Sequence, residues 1–195
     1  MTKIVERRRG AELEAALLQA AWDELAAVGY ARFTIEGVAA RAGTSRPVLY
    51  RRWANRHDLA LAALKAQFNS VSFDVPDMGS VRAELIALMT AASESRVGVV
   101  VVIMQQMGEF FAEANTDFAE MRQEVLAGRR MLLEEIFERA VKRGEIDPRK
   151  LTPRVRTLPS DLMRHELLMT LKPLPRKTIE EIIDQLFLPL VRPER

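Results

Sequence analysis

The chain has 195 residues, and its hydrophobic fraction of 48% is enough for a buried core in one large or two small domains. It contains no cysteine, which excludes disulfides, thiol nucleophiles and thiolate metal sites and fits a reducing cytoplasm. The formal net charge is only +2, and no apolar run approaches the ~20 residues that cross a bilayer, so we expect a soluble cytoplasmic protein.

Positive charge is concentrated in the first third of the chain. Residues 1–60 hold ten Lys and Arg against seven Asp and Glu, whereas residues 61–195 hold 19 against 20. Residues 1–10 are predicted to form a mobile basic arm, either a solvated tail or a contact to DNA phosphate or the minor groove. The asymmetry suggests a DNA-facing module joined to a nearly neutral one.

Residues 11–42 show the apolar spacing of two helices. Apolar side chains recur every three or four positions from Ala11 to Val28, which predicts a first helix closed by Gly29. A second apolar face follows Thr34, which is placed to cap a second helix. Gly43 interrupts this face where the chain needs a conformation that glycine adopts easily.

A third short helix is predicted directly after this turn. Thr44 or Ser45 can cap it, Pro47 lies in its first turn, and Leu49 with Trp53 gives it a buried edge. Its surroundings carry five arginines and no acidic residue: Arg41, Arg46, Arg51, Arg52 and Arg56. Such a local field suits a phosphate backbone, so the pattern predicts a helix-turn-helix whose last helix binds DNA.

This stretch resembles the DNA-binding half of TetR/AcrR-type transcriptional regulators. The matching residues are Gly29, Phe33, Thr34, Ile35, Val38, Ala39, Ala42, Gly43, Ser45, Arg46, Leu49, Tyr50, Trp53, Asn55, Arg56 and Leu59. The later part is similar to that family only in length, helical pattern and a closing segment over residues 161–190. The resemblance implies an all-α fold of about nine helices, with a DNA-binding domain over residues 1–55 and an effector-binding and dimerisation domain over residues 56–195.

The DNA contacts are expected in the second and third helices. Arg46 can span guanine O6 and N7 in the major groove, and Val48, where the family commonly has threonine, retains a possible methyl contact to thymine. Glu36 favours the helix dipole and is an alternative acceptor for a cytosine amine. The predicted set is Thr34, Thr44, Ser45, Arg46, Pro47, Val48, Tyr50, Arg51, Arg52 and Arg56, the last two as phosphate contacts.

The remaining sequence predicts helices throughout. A fourth helix begins near Arg56 or His57, and a fifth covers residues 81–92. A sixth covers Val97 to Phe111, although its β-branched run also resembles a buried strand. A seventh helix is expected over residues 117–143 and is closed by Gly144. An eighth is expected to begin at Pro153 with Thr152 as its cap, to be kinked at Pro159 and to end before Pro173.

The ninth predicted helix follows Thr178 and carries a broad apolar stripe from Ile179 to Leu190. The resemblance implies that helices eight and nine pair with their copies as a four-helix dimer bundle, and burial within one chain is the alternative. The predicted dimerisation residues are Leu162, His165, Ile179, Ile183, Leu186, Phe187 and Leu190.

An adaptable apolar cavity between helices is predicted mainly from the family resemblance and from methionine-rich segments. The expected lining residues are Met104, Met107, Phe110, Phe111, Met121 and Met163. The alternative for each of these side chains is ordinary core packing.

An enzyme is not expected. The two histidines have no ligand partners at metal-site spacing, and the sequence lacks a phosphate-binding glycine loop and a nucleophile elbow. We therefore expect no metal or cofactor. The favoured interpretation is a homodimeric repressor released from double-stranded operator DNA by a small apolar effector. The alternatives are an activator, an effector-independent regulator, or a dimeric ligand-binding protein with a vestigial DNA-binding helix.

Overall fold

The computed structural model describes residues 10–70, 73–114 and 131–194, and in these residues it contains helices and turns but no strand. The predicted all-α fold is confirmed. The described residues fall into two compact units, one formed by residues 10–70 and 102–114 and the other by residues 73–101 and 131–194. The basic arm, except Gly10, lies outside the described residues. The functional division predicted at residue 55 stays a prediction.

The first unit is built on a three-helix helix-turn-helix module. The module consists of α1 (Ala11–Val28), α2 (Ile35–Arg41) and α3 (Arg46–Tyr50). The helix α4 (Arg56–Asn69) follows it in the same unit, and α1 packs against both α2 and α4. The predicted first helix is confirmed at both ends. Its buried face joins a core that includes the fully buried side chains Leu17, Leu25, Phe33, Val38, Leu49, Leu59 and Leu64.

The turn between α2 and α3 has the geometry that the sequence predicts. Thr34 Oγ1 accepts a hydrogen bond from the Gly37 N–H at 3.0 Å, which caps the start of α2. At the other end Gly43 has φ +63°, its N–H donates to the Ala40 carbonyl, and the next N–H donates to the Ala39 carbonyl. These two bonds form a Schellman motif, in which a side chain at the glycine position would be strained.

The predicted separation of the fifth and sixth helices is wrong. Residues 81–106 form one helix, α5 (Val81–Gln106), and α6 (Gly108–Ala114) follows directly. The polar residues between the two predicted helices do not interrupt the backbone, because the Ser95 hydroxyl donates to the Ala92 carbonyl and the buried Ser93 hydroxyl accepts from the Leu174 N–H. The β-branched run is helical, as expected.

By length and composition alone, residues 81–105 of α5 are also apolar enough to cross a membrane. This is weak evidence, because the core helix of a globular protein meets the same criterion. The helix carries the charged residues Arg82, Glu84, Glu94 and Arg96, and several of its apolar side chains lie in the core of the second unit.

The second unit packs the first part of α5 with helices from the C-terminal third. These are α7 (Met131–Lys142), α8 (Pro153–Thr170), α9 (Arg176–Glu181), a π-helical segment (Ile182–Phe187) and α10 (Leu188–Val191). Gly144, with φ +73°, follows α7, and Thr152 caps α8, both as predicted. The predicted beginning of the seventh helix, over residues 117–130, lies outside the described residues. Pro159 lies inside α8.

The last predicted helix begins earlier and is less regular than expected. It starts at Arg176 rather than after Thr178, and its middle is π-helical, with the Leu188 N–H donating to the Ile183 carbonyl five residues back. Pro189 accounts for this geometry. Proline has no N–H for the carbonyl of residue 185, and its ring would clash with that carbonyl in a regular α-helix. The wider turn accommodates the ring.

A buried carboxylate joins three parts of the second unit. Glu84 of α5 is fully buried, and it pairs with Arg139 of α7 at 2.8 Å and with Arg143 at 3.0 Å. Arg139 also donates to the Val75 carbonyl. A carboxylate removed from water needs such partners, because an unpaired buried charge carries a large desolvation cost.

Candidate nucleic-acid interface

The third helix is short, and two buried side chains hold it on the module. Leu49 is fully buried and Trp53, just beyond the helix, is 8% exposed. Because these residues face the core, most of the other side chains of α3 and of the residues that follow it point outward. The side chains of Arg46, Tyr50, Arg51 and Arg52 are exposed. Tyr50 is 51% exposed, which is more than is common for an aromatic side chain. The helix-turn-helix therefore presents a basic and aromatic surface to solvent.

The predicted DNA-contacting residues divide into two groups by exposure. The exposed group is Thr34, Ser45, Arg46, Pro47, Tyr50, Arg51 and Arg52. The half-buried group is Thr44, Val48 and Arg56. The Ser45 hydroxyl makes no capping bond to α3 and remains available to a phosphate, whereas the Thr44 N–H is used by the Schellman motif.

The positive charge around α3 is less in excess than the count of arginines in this stretch indicates, because some of the arginines are paired with acidic side chains. Arg41 pairs with Glu24 of α1 at 2.8 Å, and Arg46 pairs with Glu36 of α2 at 2.9 Å. Within residues 10–70, 73–114 and 131–194, no acidic group lies within ion-pair distance of Arg51 or Arg52. The acids come from outside the stretch between Arg41 and Arg56, so counting charges along that stretch alone misses them.

Arg56 has a different environment from the one predicted. Its guanidinium pairs with Glu113 of α6 and lies 4.7 Å from the centroid of the Tyr30 ring. The next residue, His57, stacks on Phe110 of α6 with ring centroids 4.3 Å apart. Arg56 as a phosphate contact therefore stays a prediction, although part of its hydrogen-bonding capacity is directed at a carboxylate within the same unit.

The charges around Arg56 also affect a buried phenol. Burial, with a smaller contribution from the negative charge of Glu113, raises the pKa of Tyr30 to about 12. The hydrogen bond from Arg56 lowers the pKa of Glu113 below its ordinary value. The phenol is thus neutral and the carboxyl ionised across the physiological range.

Two family models match the chain in the same order as the two predicted parts. The model described as "Bacterial regulatory proteins, tetR family" matches residues 17–63, and the model described as "Tetracyclin repressor-like, C-terminal domain" matches residues 75–186. The chain belongs to the TetR family. Since this family consists of DNA-binding transcriptional regulators, the helix-turn-helix is its DNA-binding element, and the family is not one of enzymes.

Individual TetR-family proteins are similar over nearly the whole chain. A protein of Mycobacteroides abscessus named "DNA-binding transcriptional repressor TetR" is 29% identical over 185 residues, which cover 95% of this chain and 97% of that protein. The crystal structure of the TetR family transcription regulator SCO0332 is 28% identical, with a TM-score of 0.62, covering 93% of this chain and 100% of the other. The structure of the fatty acid degradation regulator FadR from Bacillus halodurans gives a TM-score of 0.67 at 17% identity, covering 93% of this chain and 97% of the other, and shows a shared fold.

TetR-family regulators act as dimers, and the predicted dimerisation residues differ sharply in exposure. Ile179, Ile183 and Phe187 are fully buried in the core of the second unit, so the alternative of burial within one chain applies to them and their assignment to a dimer surface is corrected. His165 is exposed and Leu162 is half-buried. Leu186 and Leu190 are exposed by 47% and 49%.

The described residues among the predicted effector-binding set of this TetR-family chain fall in both compact units. Met107 and Phe110 are buried in the first unit, where Phe110 contacts Tyr30, His57 and Phe111. Met104 is exposed, Met163 is buried in the core of the second unit, and Met121 lies outside the described residues.

A separate groove of about 360 Å³ lies on the second unit. Its lining residues are Met78, Arg82, Ala83, Ile86, Ala87, Thr90, Ala91, Glu94 and Arg176. None of the six predicted effector-binding residues is among them.

Proposed function

We propose that this protein is a transcriptional repressor that binds a near-palindromic operator as a homodimer and leaves it when a small apolar molecule binds. The observation that carries the proposal is the outward-facing surface of α3, which Leu49 and Trp53 hold at a fixed position on the module. The name of the similar protein from Mycobacteroides abscessus supports repression rather than activation.

The DNA contacts follow from the position of each exposed side chain. Arg46, the first residue of α3, would bind guanine O6 and N7, a contact worth ~1–3 kcal/mol of discrimination. Tyr50 would reach a thymine methyl or a phosphate, and Arg51, Arg52 and the Ser45 hydroxyl would contact phosphates. Two such helices in a dimer would lie about one helical turn of DNA, ~34–36 Å, or a multiple of it apart.

The dimer contact is proposed on the exposed part of the C-terminal helices. Leu186 and Leu190 are four residues apart and about half exposed, and Met169 near the end of α8 is 68% exposed. His165 also lies on the exposed side of α8. Large apolar side chains that remain accessible in one chain favour association with a second copy.

The response to an effector is proposed to pass through α6. This helix contacts α4 by the Arg56–Glu113 ion pair and by the stacking of His57 on Phe110. An apolar molecule that binds beside the methionine- and phenylalanine-rich residues 104–111 and prefers a second arrangement of α6 would also change the position of α4. Release of DNA then follows from the different affinity of the ligand for the two arrangements.

The test is selection of bound sequences from random duplexes by the wild-type chain and by Arg46→Ala. The wild type should enrich a symmetric site with one fixed half-site spacing, and Arg46→Ala should lose preference at one base pair in each half. Wild-type protein that binds duplex DNA without enriching any sequence would contradict the proposal. An activator would give the same site, so transcription from a promoter that carries it must fall when the protein is added.

A further inference from the structure

Arg46 and Glu36 form an ion pair on the outer surface of the helix-turn-helix. Glu36 lies in the first turn of α2 and Arg46 is the first residue of α3, and Arg46 Nη1 donates to Glu36 Oε1 at 2.9 Å. Both side chains are mostly exposed, at 62% for Arg46 and 56% for Glu36. The pair therefore joins the two helices of the motif at the surface that faces DNA.

The geometry of a guanidinium lets one arginine hold two partners. The planar group has five N–H donors, and a carboxylate on Nη1 leaves other donors free for a base edge. The hydrogen bond from Arg46 lowers the pKa of Glu36, and the carboxylate raises the pKa of Arg46, so both groups are charged at neutral pH. The ion pair therefore gives the Arg46 side chain, which is otherwise free to rotate, one preferred orientation.

We propose that Glu36 is a positioning residue for base recognition, holding the Arg46 guanidinium in the orientation that contacts guanine and thereby raising sequence selectivity. The inference rests on the proposed function, since it assumes that Arg46 contacts a base. It extends that function by adding a residue of α2 that acts through α3.

The position of the acid supports this role over simple charge balance. An exposed carboxylate on a DNA-binding surface repels phosphates and reduces the favourable release of counterions, so by itself it weakens binding to every sequence. Preorganising the arginine provides a compensating gain only on sequences with guanine at the matching position. Glu36 should therefore lower affinity in general and increase the difference between right and wrong sequences.

The experiment measures binding of four proteins, wild type, Glu36→Gln, Arg46→Ala and the double variant, by fluorescence anisotropy. Two duplexes are used: the selected operator, and the same operator with the base pair at which Arg46→Ala loses preference replaced in both halves. The ratio of the two dissociation constants gives the selectivity at that position. Glu24→Gln is the matched control, because it removes one carboxylate paired with Arg41 in the same module and leaves the Arg46–Glu36 pair intact.

Glu36→Gln should lower the wild-type selectivity about threefold to tenfold, which is part of the discrimination that one arginine–guanine contact supplies. The Glu36→Gln variant should bind the duplex with the replaced base pairs as tightly as the wild type does, or more tightly. The Glu24→Gln control should keep the wild-type selectivity. In the Arg46→Ala background Glu36→Gln should change selectivity no further. Circular dichroism and thermal unfolding establish that every variant retains its helical fold.

Two results would overturn the inference and leave the proposed function intact. Glu36→Gln with full wild-type selectivity would mean that the ion pair does not orient Arg46 on DNA. A loss of selectivity that persists in the Arg46→Ala background would mean that Glu36 contacts a base itself. By contrast, wild-type protein without any sequence preference would overturn the proposed function and the inference together.

Discussion

Arg56 and Glu113, 57 positions apart in the sequence, form an ion pair that connects α4 with α6. The Arg56 Nε donates to Glu113 Oε1 at 3.3 Å, and a second guanidinium nitrogen contacts the other carboxylate oxygen. The guanidinium lies over the ring of Tyr30, between α1 and α2. One residue of the fourth helix thus links the DNA-binding module to a helix from the middle of the chain.

This arrangement predicts that Arg56 contributes to the internal structure of the first unit and not to phosphate binding. Arg56→Ala should leave the dependence of operator affinity on salt unchanged, whereas Arg52→Ala should reduce the slope by about one phosphate contact. The measurement is fluorescence anisotropy across a series of salt concentrations. If both variants reduced the slope of affinity against salt concentration equally, Arg56 would be a phosphate contact as well.

The same pair predicts non-additive effects on stability. Arg56→Ala, Glu113→Ala and the double variant should give a coupling free energy of about 0.5–1 kcal/mol in urea unfolding, because both side chains are partly exposed to solvent and to salt. Fully additive single effects would show that the ion pair is not maintained in solution.

The DNA-binding module was predictable from sequence because its determinants are local. The cap at Thr34, the turn at Gly43 and the buried pair Leu49 and Trp53 each act within a few residues of their own position. Local rules also placed the beginning of α8 after Thr152. These features depend on backbone conformation and helical spacing, which a single sequence records directly.

Features that depend on tertiary contacts could not be predicted in the same way. No spacing in the sequence connects Arg56 with Glu113, so the arginine looked free to bind phosphate. The sequence shows the apolar stripe on the last helix. It does not show which side of that stripe packs in the core of the same chain. The structure assigns Ile183 to that core and leaves Leu186 exposed, because a broad stripe can serve two surfaces at once.

Tyr30 predicts a decline of stability at alkaline pH. Burial raises its pKa from an ordinary value of 10.0 to about 12, so the folded state favours the neutral phenol. The resulting contribution to stability is fully present below pH 10 and is lost as the pH rises through 12. Tyr30→Phe cannot ionise, so its stability should decline less between these pH values, by up to about 2 kcal/mol.

Urea unfolding of the wild type and Tyr30→Phe at a series of pH values measures this difference. Near-ultraviolet absorbance gives an independent reading, since Tyr30→Phe should remove the part of the tyrosinate signal that develops near pH 12. Parallel stability curves for the two proteins over the alkaline range would contradict the prediction.

The buried Glu84 predicts a large loss of stability in the second unit. Glu84→Gln removes the carboxylate that pairs with Arg139 and Arg143, so Arg139, about one-quarter exposed, loses this ion pair, while Arg143 keeps Asp77 and Glu145 as partners. Breaking a buried pair on one side costs about 3 kcal/mol, and because the arginines are partly exposed the loss should be up to that value. Glu180→Gln is the control, because it removes an exposed pair with Arg176 and should cost less than about 0.5 kcal/mol in the same urea unfolding experiment. Similar losses for the two variants would mean that water reaches Glu84.

The exposed leucines at the end of the chain predict the position of the dimer contact. Leu186→Glu and Leu190→Glu should each shift the protein from dimer to monomer in analytical ultracentrifugation, because a carboxylate in an apolar interface loses its hydration without a partner. Both side chains are about half exposed within one chain, so the variants should retain the monomer fold. Met78→Glu is the matched control, since Met78 is equally exposed but lies before α5, outside the C-terminal helices. The Met78→Glu variant should remain dimeric. If it alone dissociated, the dimer interface would lie outside the last helices.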